Sequence, residues 1–327
     1  MLERVRVGFV GTGGIAGHHL KQLKEIPEAE IVALCDVVSE RALARAQEFG
    51  GRVFSDYRRM LDEVELDALY VCVPPFAHDD IELRAAARKI HLFVEKPVSL
   101  SLEQALEVRA AIREAGILSS VGYGLRYLPA TQAARRYLAG RQVAMVVADR
   151  WGGLPGTPWW RVMEQSGGQL VEMTTHQVDL MRYLVGEVVE VHARYAYRAF
   201  ADDPSITVPD VQIASFLFED GALGVVTTTC ALTQGGGRSE MDFILRDILL
   251  HYTTRDLRVT PESAPQPAEV EPGLSIDQAF IRAVQTGDAS PILCDYDDGC
   301  RTLDVTLTAN RSARTGKPER TYFSEND

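Results

Sequence analysis

A chain that runs Val5-Arg6-Val7-Gly8-Phe9-Val10 straight into Gly11-Thr12-Gly13-Gly14-Ile15-Ala16-Gly17 has few folds open to it. The first six residues read as a buried strand, and residues 18–26 after the glycines read as a helix. Gly11, Gly13 and Ala16 fill the three small-residue places of a G-x-G-x-x-G/A turn. The first allows the tight turn, the second lets the backbone approach a pyrophosphate, and the third lets helix and strand pack closely. The helix N-terminus then offers free N–H groups and a positive dipole end to the phosphates. Residues 30–35 form a second strand, ended by Asp36, 20 residues after Ala16, where an acid can hold the adenosine ribose hydroxyls. Gly11, Thr12, Gly13, Gly14, Ile15 and Asp36 are therefore candidate cofactor contacts. Asp36 would repel a 2′-phosphate, which favours NAD; Arg41 keeps NADP as the alternative. His18 and His19 are adjacent on the helix, so they diverge and read as surface residues rather than ligands.

The pattern repeats. Helices are expected over 39–49, 57–63 and 102–115, and strands over 67–73, 90–94 and 118–123. Strands alternating with helices give a doubly wound α/β domain with a parallel sheet, placed at residues 1–123. Ligands gather beyond the carboxyl ends of such strands. Pro74-Pro75 and His78 follow one strand and Glu95-Lys96-Pro97 another, so His78 and Lys96 share a rim with the glycine turn. The proline restricts the backbone of Lys96 to an extended form and so presents its side chain from a fixed position.

After a helix around 129–138 the texture changes. Long strands are expected over 143–151, 188–200, 211–218, 223–231 and 241–252, and two helices, 275–286 and 298–315, close the chain. This is an α+β domain with a large, mostly antiparallel open sheet, placed at residues 124–327. Between its first two strands lies Gly168-Gln169-Leu170-Val171-Glu172-Met173-Thr174-Thr175-His176-Gln177-Val178-Asp179-Leu180. Read as one helix, it sets Glu172, His176 and Asp179 along one side, at spacings of four and three. A histidine so flanked can be held in one tautomer and tuned for proton transfer near neutral pH. A solvated helix face is the plainer alternative.

The net charge of −12 argues against a nucleic-acid or anionic-membrane partner, since no basic patch accompanies it. The five cysteines lack metal or redox spacing, and no second histidine stands at ligand distance from His176, so no metal site is expected. An odd cysteine count with no signal-like segment at the N-terminus fits a reducing compartment, and the cytoplasm is the simplest expectation.

The glycine turn, Asp36, Pro74 to His78, Glu95-Lys96-Pro97, Gly122-Tyr123 with Arg126-Tyr127, Gly167-Gly168 through Asp179 and the closing Asp297-Asp298-Gly299 occur in one order. In that order they resemble the glucose–fructose oxidoreductase / inositol dehydrogenase / rhizopine catabolism (Gfo/Idh/MocA) family over nearly the whole chain. The resemblance implies an N-terminal Rossmann domain and a C-terminal domain whose open sheet forms homodimer or homotetramer contacts. It implies hydride transfer between a nicotinamide and a carbon of a sugar, polyol or related hydroxy compound, without metal. Lys96 matches the catalytic lysine and His176 the acid/base histidine. Glu172 stands where inositol-dehydrogenase-like members place an aspartate, which departs from the inositol pattern by one methylene. Pro74, His78, Glu95, Trp160 and Arg161 fall among the implied cofactor contacts, although simple packing is an equal reading of the tryptophans. Arg126, Tyr127 and Asp179 are candidates for hydroxyl recognition or for support behind it, beside Lys96, Glu172 and His176. Three alternatives stay open: keto-sugar reduction, an epimerase or hydrolase with a hidden redox step, and a non-catalytic NAD-binding regulator.

Overall fold

Apolar runs covered on both faces settle into parallel strands. In the computed structural model, which describes residues 2–326, one sheet is six-stranded. Its strands are β1 (Val5–Val10), β2 (Ala29–Cys35), β3 (Arg52–Phe54), β4 (Ala68–Val71), β5 (His91–Val94) and β6 (Ser119–Val121), ordered β3-β2-β1-β4-β5-β6. Such apolar runs on β1, β4 and β5 form its centre. All pairs are parallel. The order reverses between β1 and β4, and at such a switch point the strand ends open into a crevice. Phe9, Tyr70 and Phe93 are in register on β1, β4 and β5. Their rings stack at 4.7 and 4.4 Å between centroids, a packing that fixes these three strands against one another.

The chain divides into two compact units. One contains the residues up to Gly124 together with Leu274–Cys300; the other contains Leu125–Gly273 and the chain from Arg301 on. The segment Leu274–Cys300, which the sequence reading placed in the second domain, falls in the first unit. The helix Ile276–Thr286 buries Phe280 edge-on against Tyr70 and Phe93, each at 5.6 Å, in the first unit. Periodicity shows that this helix has an apolar face but cannot say which sheet the face covers.

In the second unit the strands are β7 (Val143–Trp151), β8 (Val188–Ala196), β9 (Val211–Phe218), β10 (Leu223–Thr229), β11 (Arg238–Leu245), β12 (Ile248–Thr253), β13 (Leu257–Thr260) and β14 (Glu319–Arg320). Their order is β13-β12-β11-β7-β10-β9-β8-β14. The sheet is mostly antiparallel, as expected, with β10 and β7 parallel. The helices Pro129–Leu138 and Thr175–Leu184 bury Leu138, Val178 and Met181 against Val146, Phe216 and Phe243 on one face of it.

Three local expectations differ from the structure. Residues 241–252 are two strands, because Arg246-Asp247 form a two-residue hairpin loop with Asp247 at φ 61°. Such a loop favours Asn-Gly or Asp-Gly, and Arg-Asp carries no such signature. The strands expected to reach Phe200 and Ala231 end at Ala196 and Thr229. The helix from Gly168 onward is broken. It stops after Gln169–Glu172 and restarts at Thr175. The Thr174 N–H reaches back five residues to Gln169 O at 2.7 Å, a π-type widening, while its hydroxyl donates to Thr228 at 2.8 Å.

Candidate active site

Within the first unit the glycine turn is built by sterics. Gly11 has φ 86°, and a Cβ there would lie 2.4 Å from the Cys72 carbonyl oxygen on the neighbouring segment. At Gly13 and Gly14 a Cβ would meet no atom within 4 Å, so the space above them is open. Gly13 caps the helix Gly14–Lys24, whose first turn has no acid and whose last turn carries Lys21 and Lys24. That charge arrangement leaves the N-terminus suited to an anion. Ile15, in the same turn, is about half exposed. These residues fit the pyrophosphate of a dinucleotide.

Asp36 is buried at the end of β2. One carboxylate oxygen accepts both the N–H and the hydroxyl of Thr12 at 2.9 Å, and the other accepts Val38 N–H at 2.8 Å. The acid thus shapes the turn from within, and its oxygens retain lone pairs for a ribose hydroxyl. Arg45, absent from the sequence reading, donates to the Thr12 and Gly13 carbonyls at 3.4 Å, while Arg41 is exposed.

Pro74 is half-buried and leads into a one-turn helix, Pro75–Ala77, that ends at His78. His78 is buried and hydrogen-bonded through Nδ1 to Glu82. At the end of β5, Glu95 is buried and Lys96 half-buried. The Lys96 backbone N–H donates to Glu95 Oε2 at 3.1 Å. The other oxygen, Oε1, meets His19 Nε2 at 2.9 Å, and His19 Nδ1 meets Asp277 Oδ1 at 2.7 Å.

His19 is therefore not a surface residue: it is 3 % exposed, while His18 is exposed. Its place was legible, since Ala16, His19, Leu20 and Leu23 form the buried stripe of their helix. Burial opposes a charge on His19, but its bonds to Asp277 and Glu95 prevail and push its pKa up to about 10.

In the second unit Glu172 ends one short helix and His176 lies in the first turn of the next. Glu172 is half-buried and its Oε2 accepts the Trp160 indole N–H at 2.6 Å. Trp160 is itself buried with Val208 and Cys230, with Trp159 packed against them. Arg161 donates to Pro155 O at 3.1 Å. His176 opens the next helix and is half-buried; Tyr127 ends the short helix Gly124–Tyr127 and is also half-buried.

Arg126 and Asp179, each at most 2 % exposed, form a bidentate pair at 2.9 and 2.7 Å. Thr302 donates to the same Asp179 carboxylate at 3.1 Å. Arg150 on β7 was missed. Its alternation with Ala148 places it on the covered face of the sheet, where burial lowers its pKa and the charge of Glu172 opposes that shift. Among the described residues no three His, Cys, Asp or Glu side chains gather as a metal site. No helix among them is long and apolar enough to cross a membrane.

Comparison with known proteins adds the following. Residues 5–123 match the family described as "Oxidoreductase family, NAD-binding Rossmann fold", GFO_IDH_MocA, and residues 132–244 match its C-terminal domain. The chain is similar to a D-apiose dehydrogenase of Paraburkholderia graminis, 30% identical over 97% of this chain and 89% of that one. It is also similar to a scyllo-inositol 2-dehydrogenase (NAD(+)) of Bacillus subtilis, 29% identical over 97% and 96% of the two chains. A solved structure of a levoglucosan dehydrogenase in complex with NADH and levoglucosan superposes with a TM-score of 0.86 at 19% identity, covering 98% of this chain and 100% of that one. At that identity the likeness speaks for the fold.

Proposed function

The chain belongs to the GFO/IDH/MocA oxidoreductase family and carries that family's NAD-binding Rossmann domain, and from this premise we propose that it oxidises a secondary alcohol of a sugar, polyol or sugar-derived compound. The observation that carries the proposal is the end of β5, where Glu95 holds the Lys96 backbone at 3.1 Å on the rim that the glycine turn shares. The apiose and inositol dehydrogenases among its relatives support a polyhydroxylated substrate.

Bound NAD supplies the hydride acceptor. Oxidising the alcohol also requires that its hydroxyl proton be removed and that the developing alkoxide be stabilised. We assign proton removal to His176 and alkoxide stabilisation to Lys96. Glu172, anchored by the Trp160 N–H at 2.6 Å, orients the imidazole and favours its cation. Arg126 and Asp179 brace the second unit from within, and Tyr127 is left for hydroxyl recognition. Thr12, Gly13, Gly14, Ile15, Asp36 and Pro74 are the groups assigned to the dinucleotide; Asp36 favours NAD over NADP. His78, Trp160 and Arg161 are assigned to it more remotely, through the segments that they pack.

We further assign the protein to a reducing, cytoplasmic compartment, an assignment supported by five buried free thiols. The outward face of the eight-stranded sheet supports self-association: Met145, Leu223, Ile213 and Leu249 share it by register and are each more than a third exposed. Light scattering on a sizing column should give a dimer or tetramer.

The activity is tested by following nicotinamide absorbance with NAD or NADP against a panel of polyols, aldoses and sugar acids. Reduction of NAD by at least one alcohol is expected. No reduction with any alcohol, together with oxidation of NADH by a keto-sugar, would reverse the assigned direction.

A further inference from the structure

His19 sits between two acids. Both ring nitrogens lie within 3 Å of carboxylate oxygens, Nδ1 of Asp277 Oδ1 at 2.7 Å and Nε2 of Glu95 Oε1 at 2.9 Å. An ionised carboxylate only accepts hydrogen bonds, so both nitrogens must donate, and the ring is an imidazolium. All three groups are buried, at 3 %, 1 % and 7 % exposure. Their other contacts give the arrangement a direction. His19 lies on the helix whose N-terminus is the glycine turn, and Asp277 lies on the helix Ile276–Thr286. The second Glu95 oxygen accepts the Lys96 backbone N–H at 3.1 Å. Gly122 shows how tightly that carboxylate is seated, because a Cβ there would lie 2.5 Å from Glu95 Oε1 and 2.7 Å from its Cδ.

We propose that His19 is a positioning residue: clamped by Asp277, it fixes the Glu95 carboxylate and through it the backbone from which Lys96 reaches the substrate. The glycine-turn helix thereby does two jobs. Its first turn faces the phosphates, and His19, just beyond that turn, sets the lysine. This inference rests on Lys96 being the catalytic lysine of the proposed dehydrogenase. The placement itself can be tested without turnover.

The test compares the full-length wild type with His19→Gln, Glu95→Gln and the double variant, each with NAD bound. Hydrogen exchange at the Lys96 amide should accelerate about tenfold or more in both single variants, while amides of β1 keep their protection. With the alcohol found active, kcat should fall about tenfold or more, as expected when a reacting group is displaced by a fraction of an ångström. In His19→Gln the dissociation constant for NAD and KM for the alcohol should stay within about twofold. Once Glu95→Gln is present, adding His19→Gln should lower kcat by less than about twofold further, since both act through one bond. Unchanged exchange at Lys96, losses that multiply, or a loss confined to NAD affinity or melting temperature would each overturn the proposal.

If His19→Gln does not fold, the Glu95→Gln exchange result and the His19 ring nitrogens of the wild type decide the matter. Nitrogen NMR at pH 8 should find both ring nitrogens protonated, and a neutral ring would overturn the proposal. Failure of the dehydrogenase reading has a different signature, wild-type turnover that survives Lys96→Met or no turnover at all. The exchange and NMR results stand in either case.

Discussion

Trp160 donates its indole N–H to Glu172 at 2.6 Å, and so binds a buried aromatic of the 152–168 segment to the carboxylate that precedes the helix break. Trp160→Phe keeps the ring packing but deletes the donor. Stability should change by no more than about 1.5 kcal/mol, the usual range for one hydrogen bond, because half-buried Glu172 can recruit water. Turnover should fall roughly tenfold if Glu172 orients His176, which is about 1.4 kcal/mol of transition-state stabilisation. Melting curves and kcat measured side by side separate the two effects.

The Arg126–Asp179 pair makes the opposite prediction. Asp179→Ala leaves a buried guanidinium without its bidentate partner and should destabilise the protein by about 3–5 kcal/mol. Arg126 also lies 4.6 Å over the Tyr183 ring, a contact that the variant keeps, so the loss reports the carboxylate. Urea denaturation of wild type and variant measures it. A loss below about 1 kcal/mol would mean that the pair is dispensable.

Gly11 and Gly13 should fail differently. Gly11→Ala combines φ 86° with a Cβ 2.4 Å from the Cys72 carbonyl, so the turn cannot form as built and both stability and NAD binding should drop. At Gly13 the added methyl meets no protein atom within 4 Å, so Gly13→Ala should melt like the wild type. Its NAD affinity should nonetheless fall, by roughly tenfold to a hundredfold for about 1–3 kcal/mol of overpacking against the pyrophosphate. Calorimetric titration with NAD, paired with melting temperature, distinguishes the two.

The His19 clamp gives stability a pH dependence of definite sign. Hydrogen bonds to Asp277 and Glu95 outweigh burial and raise the folded-state pKa to about 10, from about 6.5 in an unfolded chain. A raised base contributes fully below the unfolded value and loses its contribution as pH rises through the folded one. Wild type should therefore exceed His19→Gln in urea midpoint most at pH 6, with the gap closing toward pH 10. A gap that widens over that range would mean that His19 is buried neutral.

The β1–glycine–helix–β2 order, Asp36 at its strand end and Lys96 after β5 were legible because each depends on neighbours in sequence. The residues that escaped depend on other elements. His19 lay on a readable apolar stripe, but its acids come from positions 95 and 277, far along the chain. Arg150 and Arg45 act through strands and turns that no periodicity connects. The helix break between Glu172 and His176 escaped for a subtler reason. Their spacing fits one helix, but Thr174 has an alternative partner in Thr228, and the ladder widens to reach Gln169 O. A sequence shows that threonine can compete with the helix, but not whether a partner across the sheet is waiting.

The most direct measurement compares turnover and NAD binding in Lys96→Met and His176→Ala, with the alcohol that the panel identifies. The account predicts that each variant binds NAD within about threefold of wild type while kcat/KM falls by a factor on the order of 100 or more, as when a general acid–base group is removed. Near-normal turnover in either variant would contradict the assignment of that residue, and near-normal turnover in both would remove the proposed chemistry from this site.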